Sequence, residues 1–290
     1  YAVAVQPDQK TVIAGEFTSF NTTPRNRIAR MNFNGQLDTT FNPGSGADGF
    51  ISSLPLQTDG KVIVGGGFTS FNGLFRGGIA RLNADGSVDT SFKPGTGVDG
   101  IVWAVAVDPN GKIIIGGDFT TVNGTNRVNV ARLNPDGSLD TAFDPGTGPD
   151  GPVFAVAAQS DTSIIIGGEF VSVAAAPRSG VARLTPSGAV DATFEPGGGA
   201  DDTVFALKIQ NDGRILLGGA FRTVDLRERR AIARLNTDGS LDLTFNPGTG
   251  ANDTVYAIEL QNDGRIFIGG MFTRVNGTVR RGICRLYSDG

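Results

Sequence analysis

Two arginines and two aspartates return at a fixed interval along the 290-residue chain, and these are the residues best equipped for chemistry. One arginine lies inside a run such as Ile-Ala-Arg-Leu: Arg30, Arg81, Arg132, Arg183, Arg234 and Arg285. The other closes a polar loop: Arg25, Arg76, Arg127, Arg178, Arg229 and Arg280. One aspartate (Asp38, Asp89, Asp140, Asp191, Asp242) follows shortly after the first arginine. The second stands in a Pro-Gly-x-Gly segment at Asp48, Asp99, Asp150 and Asp201, with Asn252 in the fifth copy. A guanidinium fork matches a carboxylate through two parallel hydrogen bonds. The first pair is therefore expected to brace a hairpin or two neighbouring repeats. The loop arginine and the Pro-Gly-x-Gly aspartate are expected to meet on one rim. There they would form either a loop-bracing ion pair or a repeated site for glycan hydroxyls or a carboxylate. Those loop arginines and aspartates are the candidate ligand-binding residues.

Other chemistry is thinner. The chain has no histidine, which removes histidine-based triads and histidine metal sites. Glu16, Asp118 and Glu169 share one slot, but Gly67, Ala220 and Met271 fill it elsewhere, so no carboxylate pair for glycoside cleavage stands out. No catalytic residue and no metal ligand is assigned. The segments 83–89, 134–140 and 236–242 read Asn-x-Asp-Gly-Ser-x-Asp, which is part of a calcium loop without its distal glutamate. The fourth copy, Thr185-Pro186-Ser187-Gly188, has no carboxylate in the turn. Asn, Asp and Gly are also what a tight hairpin wants, so a turn is expected and no cofactor, with calcium the open alternative. Cys284 stands where the other copies have alanine and is read as a small buried side chain. Net charge is −4, which argues against a nucleic-acid partner. No run of 18 apolar residues occurs, so no membrane insertion is expected. A basic sector gathers at Arg222, Arg227, Arg229, Arg230, Arg274, Arg280 and Arg281.

The elements that position these residues follow from one register. Phe17, Phe68, Phe119, Phe170, Phe221 and Phe272 lie 51 residues apart, each after a run like Ile-Ile-Ile-Gly-Gly. Four residues rich in β-branched side chains favour a strand, and the lack of alternation means that both its faces are covered. Glycine there implies a bend or the close approach of another backbone. Before it comes a strand opened by an aromatic (Tyr1, Trp103, Phe154, Phe205, Tyr256), with Ser52 the exception. After it come a loop of about ten residues, the Arg-bearing strand, a turn, and a fourth strand at 37–41, 88–92, 139–143, 190–194 and 241–245. Four short antiparallel strands at this period describe propeller blades that cover one another's faces. The expectation is an all-β, six-bladed β-propeller of four-stranded blades, one domain over 1–290. Its repeats would be 1–51, 52–102, 103–153, 154–204, 205–255 and 256–290, the last without its fourth strand. That strand would lie upstream of Tyr1 or outside this segment. The third strand of the last blade would then offer an unpaired edge.

The wording of the repeat resembles a Kelch-type blade, and more closely the bacterial delta-60 repeats. The residues that carry this are Gln57-Thr58-Asp59-Gly60-Lys61, 65–69, 79–83, Asp85-Gly86-Ser87-Val88-Asp89 and 92–97. Kelch tyrosine and tryptophan are missing; Arg81 and Phe92 stand near their places. The resemblance implies a β-propeller in a secreted or cell-surface bacterial protein, part of a larger chain or assembly, with no established catalytic residues. The expected function is a non-catalytic module for adhesion, scaffolding or protein interaction. A glycan-binding propeller is the alternative and a glycoside-cleaving enzyme the second. The expected partner is a protein or glycan at the loop face.

Overall fold

The computed structural model describes residues 1–290, and the chain divides into two compact units, Tyr1–Phe143 and Asp144–Gly290. Each unit carries three antiparallel sheets of three strands. In the first unit they are built from Ala2–Val5, Thr11–Ala14 and Ile28–Met31; Ile51–Ser53, Val62–Gly66 and Ile79–Leu82; and Ile101–Val107, Ile113–Asp118 and Val130–Leu133. In the second they are Val153–Ala158, Ile164–Gly168 and Val181–Leu184; Val204–Ile209, Ile215–Gly219 and Ile232–Leu235; and Val255–Leu260, Ile266–Gly270 and Ile283–Leu286. The Gly-Gly strand is the middle strand of every sheet.

Ile113, Ile114 and Ile115 are all fully buried, as a middle strand covered on both faces requires. The cover comes from the neighbouring repeat. In the first unit, Ile63 and Ile79 of the second blade share a core with Val102, Val105 and Phe119 of the third. In the second unit, Leu216 and Ile232 of the fifth blade share one with Val255, Ile258 and Phe272 of the sixth. Glycine is needed at the contact. A Cβ on Gly65 would lie 2.6 Å from Val105 Cγ2 and 2.8 Å from Val102 Cγ1.

The fourth strand does not form. Val88 makes a single bridge to Leu82, and the same holds for Leu37, Leu139, Val190 and Leu241 with their partners. The chain then turns, because the Asp89 carboxylate accepts from Ser91 N (2.9 Å) and Ser91 Oγ (2.6 Å). The blades are thus three-stranded with one bridged residue, not four-stranded. The loop after the middle strand, in contrast, holds a miniature hairpin, as in Ser70–Phe71 with Leu74–Phe75 or Thr121–Val122 with Thr125–Asn126. Its Asn-Gly tip suits a tight turn: Asn72 and Gly73 have φ of 47° and 73°. Asn72 Oδ1 also accepts from Ser45 N at 3.0 Å, which ties the hairpin to the preceding Pro-Gly-x-Gly segment. Replacing Asn72 with Ala leaves that N–H without its acceptor. It is expected to cost about 1 kcal/mol, read from the shift of a urea midpoint at unchanged slope.

Candidate functional site

Five of the six strand arginines sit in a clamp. Arg81 Nε donates to Asp89 Oδ2 at 2.8 Å, and its guanidinium lies over the Phe92 ring at 4.9 Å. Its Nη1 reaches the next blade and donates to Pro135 O at 2.6 Å. Lys61 Nζ donates to the same Asp89 oxygen at 2.8 Å. Arg30 repeats this with Asp38, Lys10, Phe41 and Ala84 O. Arg234 does so with Asp242, Arg214, Phe245 and Ser288 O. Arg132 pairs with Asp140 and Arg183 with Asp191. Burial pushes the Asp89 carboxyl up, but donation from Lys61, Ser91 and Arg81 outweighs it and holds the group well below the usual carboxylate range. The clamp thus holds an ionised Asp89 carboxylate in a brace that reaches the next blade. Arg285 differs: it is exposed and lies over Phe267 at 5.9 Å.

The rim expected from the loop arginines and Pro-Gly-x-Gly aspartates is not built as an ion pair. Asp48 accepts from Thr69 N (2.8 Å), Ser70 N (3.0 Å) and both hydroxyls. Asp99 likewise accepts from the backbone N–H groups of Thr120 and Thr121, Asp150 from those of Val171 and Ser172, and Asp201 from those of Arg222 and Thr223. Asn252, the exception, takes Thr273 N and Arg274 N. The reason is local. The hairpin start leaves two N–H groups side by side, and a carboxylate or amide oxygen satisfies both. Desolvation pushes Asp48 up, yet hydrogen bonds from Ser70 and Thr69 hold it at about 2, and Asp99 sits at about 2 through Thr120 and Thr121. Each loop arginine instead donates Nη1 to the carbonyl before it: Arg25 to Pro24, Arg76 to Phe75, Arg127 to Asn126, Arg178 to Pro177, Arg229 to Glu228 and Arg280 to Val279.

The Asn-x-Asp-Gly segments are hairpin turns. Asp85 accepts from Ser87 N (3.0 Å) and Ser87 Oγ (2.6 Å), while Asp85 O accepts Asn42 N of the preceding repeat at 2.7 Å. Gly86 has φ of 88°, and a Cβ there would lie 2.8 Å from Asn42 N. The turn is therefore half of a blade-to-blade contact, with its carboxylate engaged locally. Cys284 is buried, as expected for its slot.

Sequence reasoning missed one feature. In the third to sixth blades the aromatic at the start of the first strand lies on a β-bulge; in the third the register shifts between Val102 and Ala104, around Trp103. These rings line up with aromatics of the neighbouring blades. In the first unit, Tyr1 meets Phe50 edge-on at 6.1 Å, and Phe50 stacks on Trp103 at 5.4 Å. In the second, Phe154, Phe205 and Tyr256 follow at 5.1 and 5.0 Å. Phe50 stands in for the missing aromatic at Ser52. The available signal was Gly67: a Cβ there would lie 2.6 Å from the Phe50 ring, so the blade that loses its aromatic also loses the side chain in the carboxylate slot. Glu16, from that slot in the first blade, accepts from Tyr1 Oη at 2.9 Å, and this bond with its charge raises the Tyr1 pKa.

Three depressions lie in the second unit. A cavity of about 610 Å³ on the tight-turn side of the fifth and sixth blades is lined by Lys208, Asp212, Arg214, Glu259 and Asp289, with Lys208 paired to Glu259 at 2.7 Å. Two smaller clefts of about 230 and 260 Å³ occupy equivalent places on the loop side. One carries Glu169, Asp201 and Asp202, the other Arg222 and Arg230 with Asp253, so the first is acidic and the second carries a net positive charge.

The repeat family described as a domain of unknown function (DUF5122) β-propeller matches six stretches, 6–41, 57–92, 109–143, 159–194, 210–245 and 261–290. The chain belongs to this β-propeller family. Solved structures agree on the fold. The chain is similar to virginiamycin B lyase from Staphylococcus aureus, with 14% identity, a TM-score of 0.58, and coverage of 98% of this chain and 83% of the other. It is similar to the WD40 β-propeller domain of Doa1, with 16% identity, a TM-score of 0.55, and coverage of 97% and 76%. A third likeness is to the extracellular domain of a hybrid two-component system from B. thetaiotaomicron, with 12% identity, a TM-score of 0.57, and coverage of 98% and 33%. No curated protein matches the chain. At these identities the likeness carries the fold alone. No helix is long and apolar enough to cross a membrane.

Proposed function

We propose that this propeller is a non-catalytic interaction module of a secreted or cell-surface bacterial protein and that it binds a protein partner through its loop hairpins. The observation that carries this reading is a division of labour. The residues that recur from repeat to repeat are spent on bracing: five strand arginines on the clamp, four aspartates and Asn252 on the hairpin starts. The residues that differ between repeats stand exposed on or beside the hairpins, among them Phe75, Leu226 and Val279. Apolar side chains raised on a rigid, charge-braced frame suit protein docking. The extracellular neighbour is consistent with a surface setting.

A second reading, a glycan partner, is favoured by the two partly exposed aromatic rows. Aromatic faces pack on apolar sugar surface while a carboxylate such as Glu16 accepts hydroxyls. One experiment separates the two readings. The purified chain is applied in parallel to arrays of surface proteins and of glycans, while Trp103, the only tryptophan, reports on its row by fluorescence. Protein binding lost in Phe75→Ser with Leu226→Ser, at unchanged Trp103 emission, is the expected result. Glycan binding with Trp103 quenching would replace this reading with the second. Turnover of a bound glycan would end the non-catalytic one.

A further inference from the structure

The two loop-side clefts of the second unit occupy equivalent places one repeat apart, and their linings differ in a single direction. Ala220 stands where the acidic cleft has Glu169, Arg222 where it has Val171, Arg230 where it has Ser179, and Asn252 where it has Asp201. Each of these differences removes negative charge or adds positive charge. The floor stays apolar and closed: Phe221 and Ala251 are buried, as Phe170 and Ala200 are beneath the acidic cleft.

Bracing does not ask for this change. Asn252 Oδ1 takes Thr273 N at 2.9 Å and Arg274 N at 2.8 Å, the duty that Asp201 performs with a charge. The main chain of Arg222 is held on both sides: its N–H donates to Asp201 Oδ1 at 2.8 Å, and its carbonyl accepts from Arg229 N at 2.9 Å. Its guanidinium, in contrast, makes no hydrogen bond or ion pair, and it lines the cleft. The other copies have Thr18, Thr69, Thr120, Val171 and Thr273 at this place. Arg230 Nε donates to Glu228 Oε1 at 2.8 Å, which leaves its two terminal nitrogens for a ligand. Asp253 adds an acceptor. Its Oδ1 takes Thr254 N at 2.7 Å and Thr254 Oγ1 at 3.3 Å, while Oδ2 has no donor.

We infer that this cleft is a binding site for a sugar carboxylate, a single uronic acid residue. Guanidinium forks match a carboxylate in shape as well as charge, so the acid group faces Arg222 and Arg230. The ring hydroxyls donate to the free oxygen of Asp253. An acidic protein side chain would satisfy the arginines, but it brings no donor for Asp253 and meets its charge. A neutral sugar would leave both guanidiniums without an anion. The volume, about 260 Å³, lies below the range of about 300–1,000 Å³ for drug-sized ligands and suits one ring. The inference is independent of what the hairpin tips bind.

The test titrates the full chain with sodium glucuronate, followed by amide NMR at low salt so that screening does not mask the contact. Saturable shifts are expected at Arg222, Arg230 and Asn252 to Thr254, and none at Ser179 or Gly180 of the acidic cleft. The dissociation constant should be about 1 mM, as ordinary ligand efficiency gives for a molecule of this size. Glucose and acetate should each bind at least about tenfold more weakly, since each lacks one of the two matched groups. Arg222→Ala breaks no side-chain bond in the free chain. It should keep the melting point and weaken glucuronate by at least about tenfold. Asp253→Asn should narrow the preference for glucuronate over acetate, and Leu226→Ser should leave glucuronate binding as it was. Absence of saturable shifts overturns the inference, as does glucuronate binding that Arg222→Ala leaves unchanged. N-acetylglutamate binding as tightly as glucuronate also overturns it, since the site would then belong to an acidic protein segment.

Discussion

Arg81→Ala is expected to destabilise the first unit by about 3–5 kcal/mol, the usual consequence of leaving one charge of a buried pair alone. Asp89 is almost fully enclosed and keeps Lys61 as its only other cationic partner. The change also removes the guanidinium from the Phe92 ring and the donor from Pro135 O, so the joint to the next blade loses its polar half. Arg81→Lys should recover only part of the loss, because an ammonium cannot serve the carboxylate and the distant carbonyl together. The double change Arg81→Met with Asp89→Leu should recover more, since the cost lies mainly in the orphaned carboxylate. Arg285→Ala is the internal comparison. That arginine is exposed and lacks the aspartate, so its loss should fall within about 0.5 kcal/mol of zero. Chemical denaturation of the four variants reads all of this. Equal losses for Arg81→Ala and Arg285→Ala would mean that the clamp contributes nothing beyond a surface charge.

The period was legible because every physical demand of a blade recurs with it. Phe68 and Phe119 mark the register, Gly65 marks the seat for a neighbour, and Arg81 with Asp89 marks a pair whose fixed spacing spans one hairpin. The fourth strand was not legible. Val88 to Phe92 has the apolar ends of a strand, and nothing in the letters says that the Asp89 carboxylate will turn back on Ser91 N after one bridge. The loop rim misled for a related reason. Opposite charges such as Arg76 and Asp48 suggest attraction, but two unpaired backbone N–H groups at Thr69 and Ser70 compete for the same carboxylate and lie closer. Backbone donors are present in every sequence and visible in none. The aromatic rows needed a third kind of information. Ser52 and Gly67 depart from the repeat together, and only coordinates show that Phe50 fills the space both vacate.

The same carboxylates make acid the condition under which this protein should fail. Asp38, Asp89 and Asp242 have their folded pKa values lowered: burial opposes ionisation, but hydrogen bonds from Thr40, Lys10 and Arg30, and from their counterparts, exceed that penalty. A group whose folded pKa is depressed contributes its stability above the unfolded value, near 3.9, and loses it as pH falls. Each of these three contributes on the order of 2–3 kcal/mol by that linkage, against a total stability of about 5–15 kcal/mol for a typical domain. Asp48 and Asp99, held at about 2, add to the same loss between pH about 4 and pH about 2, although their exposure to solvent reduces their weight. Stability should therefore be flat from pH about 7 to 5 and collapse below pH about 4, followed by far-ultraviolet circular dichroism at fixed denaturant. Salt should move this little, because the paired charges are enclosed. Asp89→Asn should be less stable at pH 7 yet show a shallower acid slope, since one of the titrating groups is gone. A slope unchanged by Asp89→Asn would mean that the clamp aspartates are not what the protons find.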